Sequence, residues 1–124
     1  MLADKDAIAT IAVRDIAKAR KFYQETLGLK PVPSPESDVL TYKSGHANVL
    51  VYQSEYAGTN KATAATWAVE DLEGVVGELK SKGISFEHYD FPGGTRKGDI
   101  HGTGTTKAAW FKDPDGNILA LVSG

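Results

Sequence analysis

The sequence contains an internal repeat. The seven-residue segment that begins at Thr10, Thr-Ile-Ala-Val-Arg-Asp-Ile, has a counterpart 56 residues later that begins at Thr66 and reads Thr-Trp-Ala-Val-Glu-Asp-Leu. In both copies small or polar residues alternate with bulky apolar ones, which predicts a strand. The aspartate that follows, Asp15 or Asp71, is a residue type that caps helices. The repeat therefore constrains the chain to fold as two similar strand–helix units.

Helical spacing follows each of these aspartates. Apolar residues recur every three or four positions after Asp15 and again after Asp71. Gly28 and Gly83 then supply the left-handed residue at which helices commonly end. Three extended segments are predicted behind each helix, namely 29–32, 39–42 and 47–53 behind the first and 84–89, 107–111 and 118–122 behind the second.

A tight turn joins the last two predicted strands. Residues 112–117 read Lys-Asp-Pro-Asp-Gly-Asn, and the Pro-Asp-Gly core is a strong turn signal. The run that begins at Asn117 is similar to the run that begins at Asn48, so the repeat covers whole β-α-β-β-β modules. The 124 residues suit one hydrophobic core. We predict a single α+β domain over 1–124, with module one at about 6–57 and module two at about 62–124.

Composition excludes several kinds of chemistry. The chain has no cysteine, so disulfides, thiolate metal sites and cysteine nucleophiles are ruled out. A formal charge of −2 does not favour nucleic acid as a partner. The N-terminal segment Met-Leu-Ala-Asp-Lys-Asp is charged where a secretory signal would be apolar, and no segment has the length of a membrane span. We expect a cytoplasmic protein that binds neither nucleic acid nor membrane.

Two motifs of the chain resemble those of a known family. The first is Val-x-Asp followed by Phe-Tyr-x-x-x-Leu-Gly, here residues 13–15 and 22–28. The second is the Asp-Pro-Asp-Gly-Asn hairpin, here residues 113–117. Together they resemble the vicinal-oxygen-chelate superfamily of glyoxalases, bleomycin-resistance proteins and dioxygenases, over nearly the whole chain. The resemblance implies two modules that form a curved, U-shaped mixed sheet around a pocket, completed in a homodimer.

The resemblance also places the metal-ligand positions of the family on this chain. Metal-dependent members hold a divalent cation through one His or Glu on each of four strands. In this chain none of the side chains at the matching positions can coordinate a cation. We therefore expect no metal and no other cofactor. Metal-dependent glyoxalase, thiol-transferase and dioxygenase activities are not expected either. The matching positions are Ile8, Leu50 or Val51 depending on the gap, Ala64 and Ala120.

Alternation along the two repeat strands predicts which residues line the pocket. Thr10 and Thr66 lie on the face with small side chains, which leaves room for a guest, although a filled core without a cavity is the alternative. Asn48 and Tyr52 join this pocket if Leu50 faces inward. The bulky residues of the opposite face are expected to pack under the helices, namely Ile11, Val13, Trp67 and Val69.

Two further residues are candidates for ligand contact. Trp110 lies where relatives place an aromatic or polar side chain, and its indole could stack on a flat or cationic ligand; a core position is the alternative. His101 lies in the glycine-rich segment 90–106, which is predicted to be a mobile connection, either a lid over the pocket or a hairpin without a role. The candidate ligand-binding residues are thus Thr10, Asn48, Tyr52, Thr66, Trp110 and His101.

The leading hypothesis for function is a protein that binds a small molecule without metal and sequesters an antibiotic or toxic metabolite. Two alternatives stay open. One is a metal-free lyase or isomerase, for which His88 with Asp90 or Asp99 would be an acid/base pair. The other is a dimeric structural protein with a vestigial pocket. No catalytic residue is assigned from the sequence.

Overall fold

The first module has one helix and a small sheet. The structure, a computed structural model, describes residues 1–33, 36 and 38–123, so residues 34, 35 and 37 of the first predicted module and 124 of the second lie outside the described residues. The elements of this module are β1 (Ala9–Val13), α1 (Ile16–Arg20) with a π-helical extension (Lys21–Thr26), β2 (Lys30–Val32), β3 (Val39–Ser44) and β4 (Ala47–Gln53).

The second module repeats this plan and adds a hairpin. The hairpin stands between the third and fourth elements of the repeat and consists of two short strands. In chain order the elements are β5 (Thr63–Ala68), α2 (Leu72–Ser81), β6 (Phe86–Glu87), the hairpin strands β7 (Thr95–Lys97) and β8 (Ile100–Thr103), β9 (Thr106–Lys112) and β10 (Ile118–Ser123).

The strand order of the two curved sheets confirms the duplication. In the described part of the chain the first sheet has the order β1-β4-β3-β2, and the second contains β5-β10-β9 with β6 and β8 both on the outer edge of β9. The first and last strands of each module run parallel, and the other pairs are antiparallel. The order β1-β4-β3-β2 corresponds to β5-β10-β9-β6. The predicted α+β architecture of two β-α-β-β-β modules is therefore correct.

The glycine-rich segment 90–106 forms a hairpin. It was expected to be a connection, either a lid or a hairpin without a role, and no strand was predicted in it, whereas β7 and β8 pair with each other and β8 also pairs with β9. Gly98 occupies the turn with a φ of 64°, a conformation that glycine adopts without strain. Glycine has a low β propensity, so the sequence does not predict these strands. Pairing with the free edge of β9 stabilises the hairpin in the fold.

Both predicted helices form and are capped as expected. The Asp15 carboxylate accepts a hydrogen bond from the Lys18 backbone N–H at 3.1 Å, and the Asp71 carboxylate accepts one from Gly74 at 3.0 Å. The π-helical turn after α1 is the feature that the apolar spacing did not indicate. Among the described residues, no helix combines the length and the hydropathy needed to cross a membrane.

The core lies between the helices and one face of each sheet. Ile11 and Val13 of β1 are 1% and 0% exposed, as the alternation predicted. Trp67 and Val69 of the second repeat are half-buried and pack against the same core. The ring centroids of Phe22 and Phe111 lie 6.4 Å apart, so α1's extension in the first module contacts a strand of the second. Both modules thus share one hydrophobic core.

A buried carboxylate connects the two sequence motifs. Asp113, 5% exposed, accepts hydrogen bonds at one oxygen from the Tyr23 hydroxyl at 2.7 Å and the Asn117 side-chain amide at 2.8 Å. Its other oxygen accepts from the backbone N–H groups of Asp115 at 2.9 Å and Asn117 at 2.8 Å. Asn117 also donates to the Ala12 carbonyl at 2.7 Å. We call these five residues the Asp113 network, and it joins the β9–β10 turn to the first module.

The Tyr23 hydroxyl acts as a permanent donor in this network. Its burial, and next the adjacent Asp113 carboxylate, raise the pKa of Tyr23 far above its ordinary value. The phenol therefore keeps its proton at any physiological pH. This matters because a buried carboxylate is costly unless hydrogen bonds replace the water it has lost.

Replacing Tyr23 by Phe should destabilise the fold. The substitution keeps the buried ring but removes one donor from Asp113, so we expect the free energy of unfolding to fall by about 1–3 kcal/mol. Urea denaturation followed by circular dichroism measures it. Tyr56→Phe is the matched control, because Tyr56 is 71% exposed, and it should change stability by less than about 0.5 kcal/mol. Equal stabilities of the two variants would show that the network contributes nothing measurable.

Candidate functional site

One face of the first sheet is directed away from the core. Thr10 pairs with Leu50, and Leu50 pairs with Thr41, so these side chains share a face. Asn48 and Tyr52 lie on the same face because they alternate with Val49 and Val51, which are 4% and 0% exposed in the core. We call it the first open face, and it comprises Thr10, Ala12, Thr41, Asn48, Leu50 and Tyr52.

The second sheet has an equivalent face. Ala120 pairs with Trp110 on one side and with Thr66 on the other. Glu87 pairs with Trp110 on the far side of β9. The next row across the sheet contains His101, because His101 pairs with Ala108, and Ala108 lies two residues from Trp110 along β9, on the same face. We call this the second open face, and it comprises Thr66, Ala68, Glu87, His101, Ala108, Trp110, Lys112, Ala120 and Val122.

The positions that correspond to metal ligands do not fit a metal ion. The pairing settles the gap in the first sheet, since Leu50 lies on the open face and Val51 lies in the core. Ile8, before β1, is 47% exposed, whereas Ala120 is 3% exposed beside Trp110. These side chains, like Ala64, have no lone pair to donate. Within residues 1–33, 36 and 38–123, no group of three or more His, Cys, Asp or Glu side chains is arranged to hold a metal.

An aromatic cluster occupies the second open face. The ring centroid of Trp110 lies 4.9 Å from that of His101 and 5.4 Å from that of Tyr89, both in edge-to-face geometry. Phe91 stacks on His101 at 6.0 Å. We call these four residues the aromatic cluster. Trp110 itself is half-buried, so part of the indole remains accessible from the open face.

His101 is a buried, neutral base in this cluster. It is 2% exposed, and its Nε2 accepts a hydrogen bond from the Tyr89 backbone N–H at 3.0 Å. The neutral ring therefore carries its proton on Nδ1, which is buried and makes no hydrogen bond of ordinary geometry to the described residues. Burial first, and then the nearby His88 and Arg96, lower the pKa of His101, while the Ala108 backbone opposes the shift. The imidazole is uncharged at neutral pH.

Charged side chains lie at the rim of the cluster. The Lys112 ammonium lies 3.4 Å from the Glu87 carboxylate, and both residues neighbour Trp110 on the open face. Burial first, and then Glu87, raise the pKa of Tyr89, with Lys112 opposing the shift. The phenol therefore stays protonated near neutral pH. The face thus combines an apolar floor with a paired carboxylate and ammonium and no uncompensated charge among these groups.

The second module has two depressions near this face. One, of about 730 Å³, is wide and lies at the end of the second open face beside Ala68, Thr106 and Val122. The other, of about 120 Å³, lies against Tyr89, Phe91 and His101. The larger one is within the volume range of small-molecule sites, and the smaller one would accept only a substituent of such a molecule.

The structure places the six predicted ligand-binding residues in two groups. Thr66, Trp110 and His101 lie together on the second open face. Thr10, Asn48 and Tyr52 lie on the first open face, on the other sheet. Tyr89, Phe91, Glu87 and Lys112 were not predicted. The sequence signal for Glu87 and Tyr89 is their alternation along the predicted strand 84–89, which in fact ends at Glu87; Phe91 and Lys112 lie just beyond the ends of predicted strands.

Of the two acid/base pairs that the sequence suggested for His88, the one with Asp99 forms. The His88 Nε2 lies 2.8 Å from one oxygen of Asp99, and the Lys80 ammonium of α2 lies 2.7 Å from the other. Hydrogen bonds from Lys80 first, and then from His88, lower the pKa of Asp99. Asp99 is in the turn between β7 and β8, so these contacts fix the hairpin to α2.

Comparison with known proteins identifies the family. The chain belongs to the Glyoxalase/Bleomycin resistance protein/Dioxygenase superfamily, whose model matches residues 6–121. No curated protein matches the sequence significantly.

Several solved structures have the same fold. Integron cassette protein HFX_CASS4, from the mobile metagenome of the Halifax Harbour sewage outfall, is 17% identical with a TM-score of 0.73, covering 98% of this chain and 99% of that one. Lactoylglutathione lyase from Agrobacterium tumefaciens is 15% identical with a TM-score of 0.72, covering 98% and 94%. The fosfomycin resistance protein FosX of Listeria monocytogenes is 12% identical with a TM-score of 0.73, covering 98% and 93%. These identities establish the fold alone.

The buried His101 should make stability depend on pH. Its pKa is lowered in the folded chain from 6.5, so below about pH 6.5 the unfolded chain takes up a proton that the folded chain does not. The contribution of the neutral His101 to the free energy of unfolding is complete above that pH. It is lost as the pH falls, by at most about 1.4 kcal/mol per pH unit. Urea denaturation at pH 7.5 and 5.5 should show a smaller loss for His101→Phe than for the native chain.

The control for this measurement is His46→Phe. His46 is exposed in the turn between β3 and β4, so this variant removes one histidine from the surface and keeps the buried His101. If His101→Phe lost as much stability on acidification as the native chain, His101 would not be the group responsible.

Proposed function

We propose that the chain is a metal-independent small-molecule-binding protein that sequesters an antibiotic or another toxic compound. One observation carries the proposal. The second open face keeps an accessible aromatic surface, Trp110, directly beside Ala120, the position where metal-dependent relatives would hold a ligand to the ion. A face that offers stacking surface in place of Lewis-acid chemistry suits binding better than turnover.

The composition of this face favours a flat ligand of mixed polarity. The Trp110 indole provides a stacking surface, and the Thr66 hydroxyl lies across Ala120 from it. Glu87 and Lys112 provide one acceptor and one donor at the rim. A planar heteroaromatic compound with polar substituents would match these groups, and the depression beside Val122 would accept its remainder.

A homodimer would complete such a site. Large apolar side chains are exposed on or next to the first open face, with Ile8 at 47% and Tyr52 at 37%. A surface of this kind is typical of an interface. We propose that the first open face of one copy covers the second open face of the other. A solution mass of 13.3 kDa, in place of twice that value, would contradict this arrangement.

The structural relatives give the proposal its direction. FosX is named for resistance to the antibiotic fosfomycin, and another relative is a lactoylglutathione lyase. The first supports a protective role. The second is the reason to keep a metal-free lyase or isomerase as the alternative, for which the His88–Asp99 pair at 2.8 Å is the one supporting observation. Conversion of a bound compound by the native chain, lost in His88→Gln, would favour the enzyme.

Ligand affinity should depend on the Trp110 indole. A thermal-shift screen of antibiotics and aromatic metabolites identifies a ligand, because selective binding to the folded state raises the melting temperature. For such a ligand, Trp110→Ala should weaken binding about tenfold or more in isothermal titration calorimetry, and Trp110→Phe should retain most of it. Tyr56→Ala, an exposed aromatic outside both open faces, is the control and should bind normally. Unchanged affinity in Trp110→Ala would remove Trp110 from the site.

A further inference from the structure

A separate cavity lies on the opposite side of the second sheet, where the two modules meet. Its volume is about 240 Å³. Eight of its nine lining residues are apolar, and the ninth is a serine. We call it the seam cavity, and it is lined by Leu27, Leu29, Ser44, Trp67, Val69, Val75, Leu79, Phe111 and Leu121.

The seam cavity does not belong to the open faces. Trp67 alternates along β5 with Thr66 and Ala68, and Leu121 alternates along β10 with Ala120 and Val122, so each points to the helix-covered side. Val75 and Leu79 of α2 form the second wall. The third wall comes from the first module, so a molecule in this cavity would contact both modules.

The walls of the cavity are incompletely covered. Leu27, Leu29, Trp67, Val69 and Val75 are only half-buried, although they pack against the core. Apolar side chains that line a cleft of this kind gain stability when a guest removes them from water, by about 25 cal/mol for each Å² covered. The cavity therefore favours an apolar occupant.

A single polar group is available in the cavity. The Trp67 indole N–H donates a hydrogen bond to Ser44 Oγ at 2.8 Å, which connects β5 to the end of β3. The Ser44 oxygen thus serves as an acceptor, and its own hydroxyl hydrogen donates to no residue that the structure describes. None of the nine lining side chains carries a charge. A guest can therefore receive one hydrogen bond, from Ser44.

We propose that the seam cavity binds a small neutral molecule with a single ring and one acceptor oxygen. The volume decides the size of the guest. An apolar cavity of about 150 Å³ is enough for benzene, so about 240 Å³ also accommodates a short substituent. A helix from a partner protein, about 10 Å across, is too wide for it. The site is independent of the proposed function of the open faces.

The two indole N–H signals of the ¹⁵N-labelled chain provide the test. Trp67 lies in the seam cavity and Trp110 on the second open face, and Trp110→Phe assigns the two cross-peaks. Benzyl alcohol carries an acceptor oxygen, and toluene is nearly the same shape without it. We expect both probes to shift the Trp67 peak in a saturable manner. Ser44→Ala should weaken the binding of benzyl alcohol about fivefold and leave the binding of toluene unaffected.

Two substitutions to phenylalanine locate the binding. Val75→Phe fills the seam cavity and should abolish the Trp67 shift, whereas Val122→Phe adds the same ring to the second open face and should preserve it. A dispersed spectrum shows that each variant is folded, and if Val75→Phe is not, the Ser44→Ala comparison decides. The proposal is overturned if neither probe gives a saturable Trp67 shift, if Val75→Phe retains it while folded, or if Trp110 responds in its place.

Discussion

The Asp113 carboxylate is the contact on which the relative position of the two modules depends. It is buried and forms no ion pair with a cation of residues 1–33, 36 and 38–123, so it is stable only while Tyr23, Asp115 and Asn117 donate to it. Tyr23 belongs to the first module and Asn117 to the second. The Asn117 side-chain oxygen also accepts a hydrogen bond at 3.3 Å from the backbone N–H of Gly58, in the segment that joins the modules. Helix, linker and terminal hairpin therefore meet at the hydrogen-bonded pair Asp113 and Asn117.

This network gives a physical reason for the two sequence motifs to occur together. Phe-Tyr near the N-terminus and Asp-Pro-Asp-Gly-Asn near the C-terminus are 90 residues apart at Tyr23 and Asp113, yet they form one hydrogen-bonded unit. Because Asp113 and Asn117 bracket the turn between β9 and β10, the network also fixes the position of these strands. Trp110 and Ala120 lie on them, so the open face depends on a contact made outside it.

Local patterns in the sequence were sufficient for most of the fold. Period-two alternation predicted β1 and β5, and the capping aspartates and terminal glycines predicted where the helices begin and end. The strands β7 and β8 were not predicted because their stability comes from the free edge of β9, a non-local contact that glycine-rich residues do not indicate. His101 was consequently placed in a mobile connection, although it is 2% exposed in a strand. The face of Leu50 could be decided only by its pairing with Thr10.

Hydrocarbon side chains stand at Ile8, Leu50, Ala64 and Ala120, where metal-dependent relatives have nitrogen or oxygen donors, and the proposed metal-independent site depends on them. Equilibrium dialysis of the purified chain against zinc, nickel and manganese, with the bound metal quantified by mass spectrometry, addresses this directly. We predict far less than one bound ion per chain for every metal. One tightly bound ion per chain, retained through gel filtration, would show that donors outside these four positions hold a metal and would favour metal-assisted catalysis.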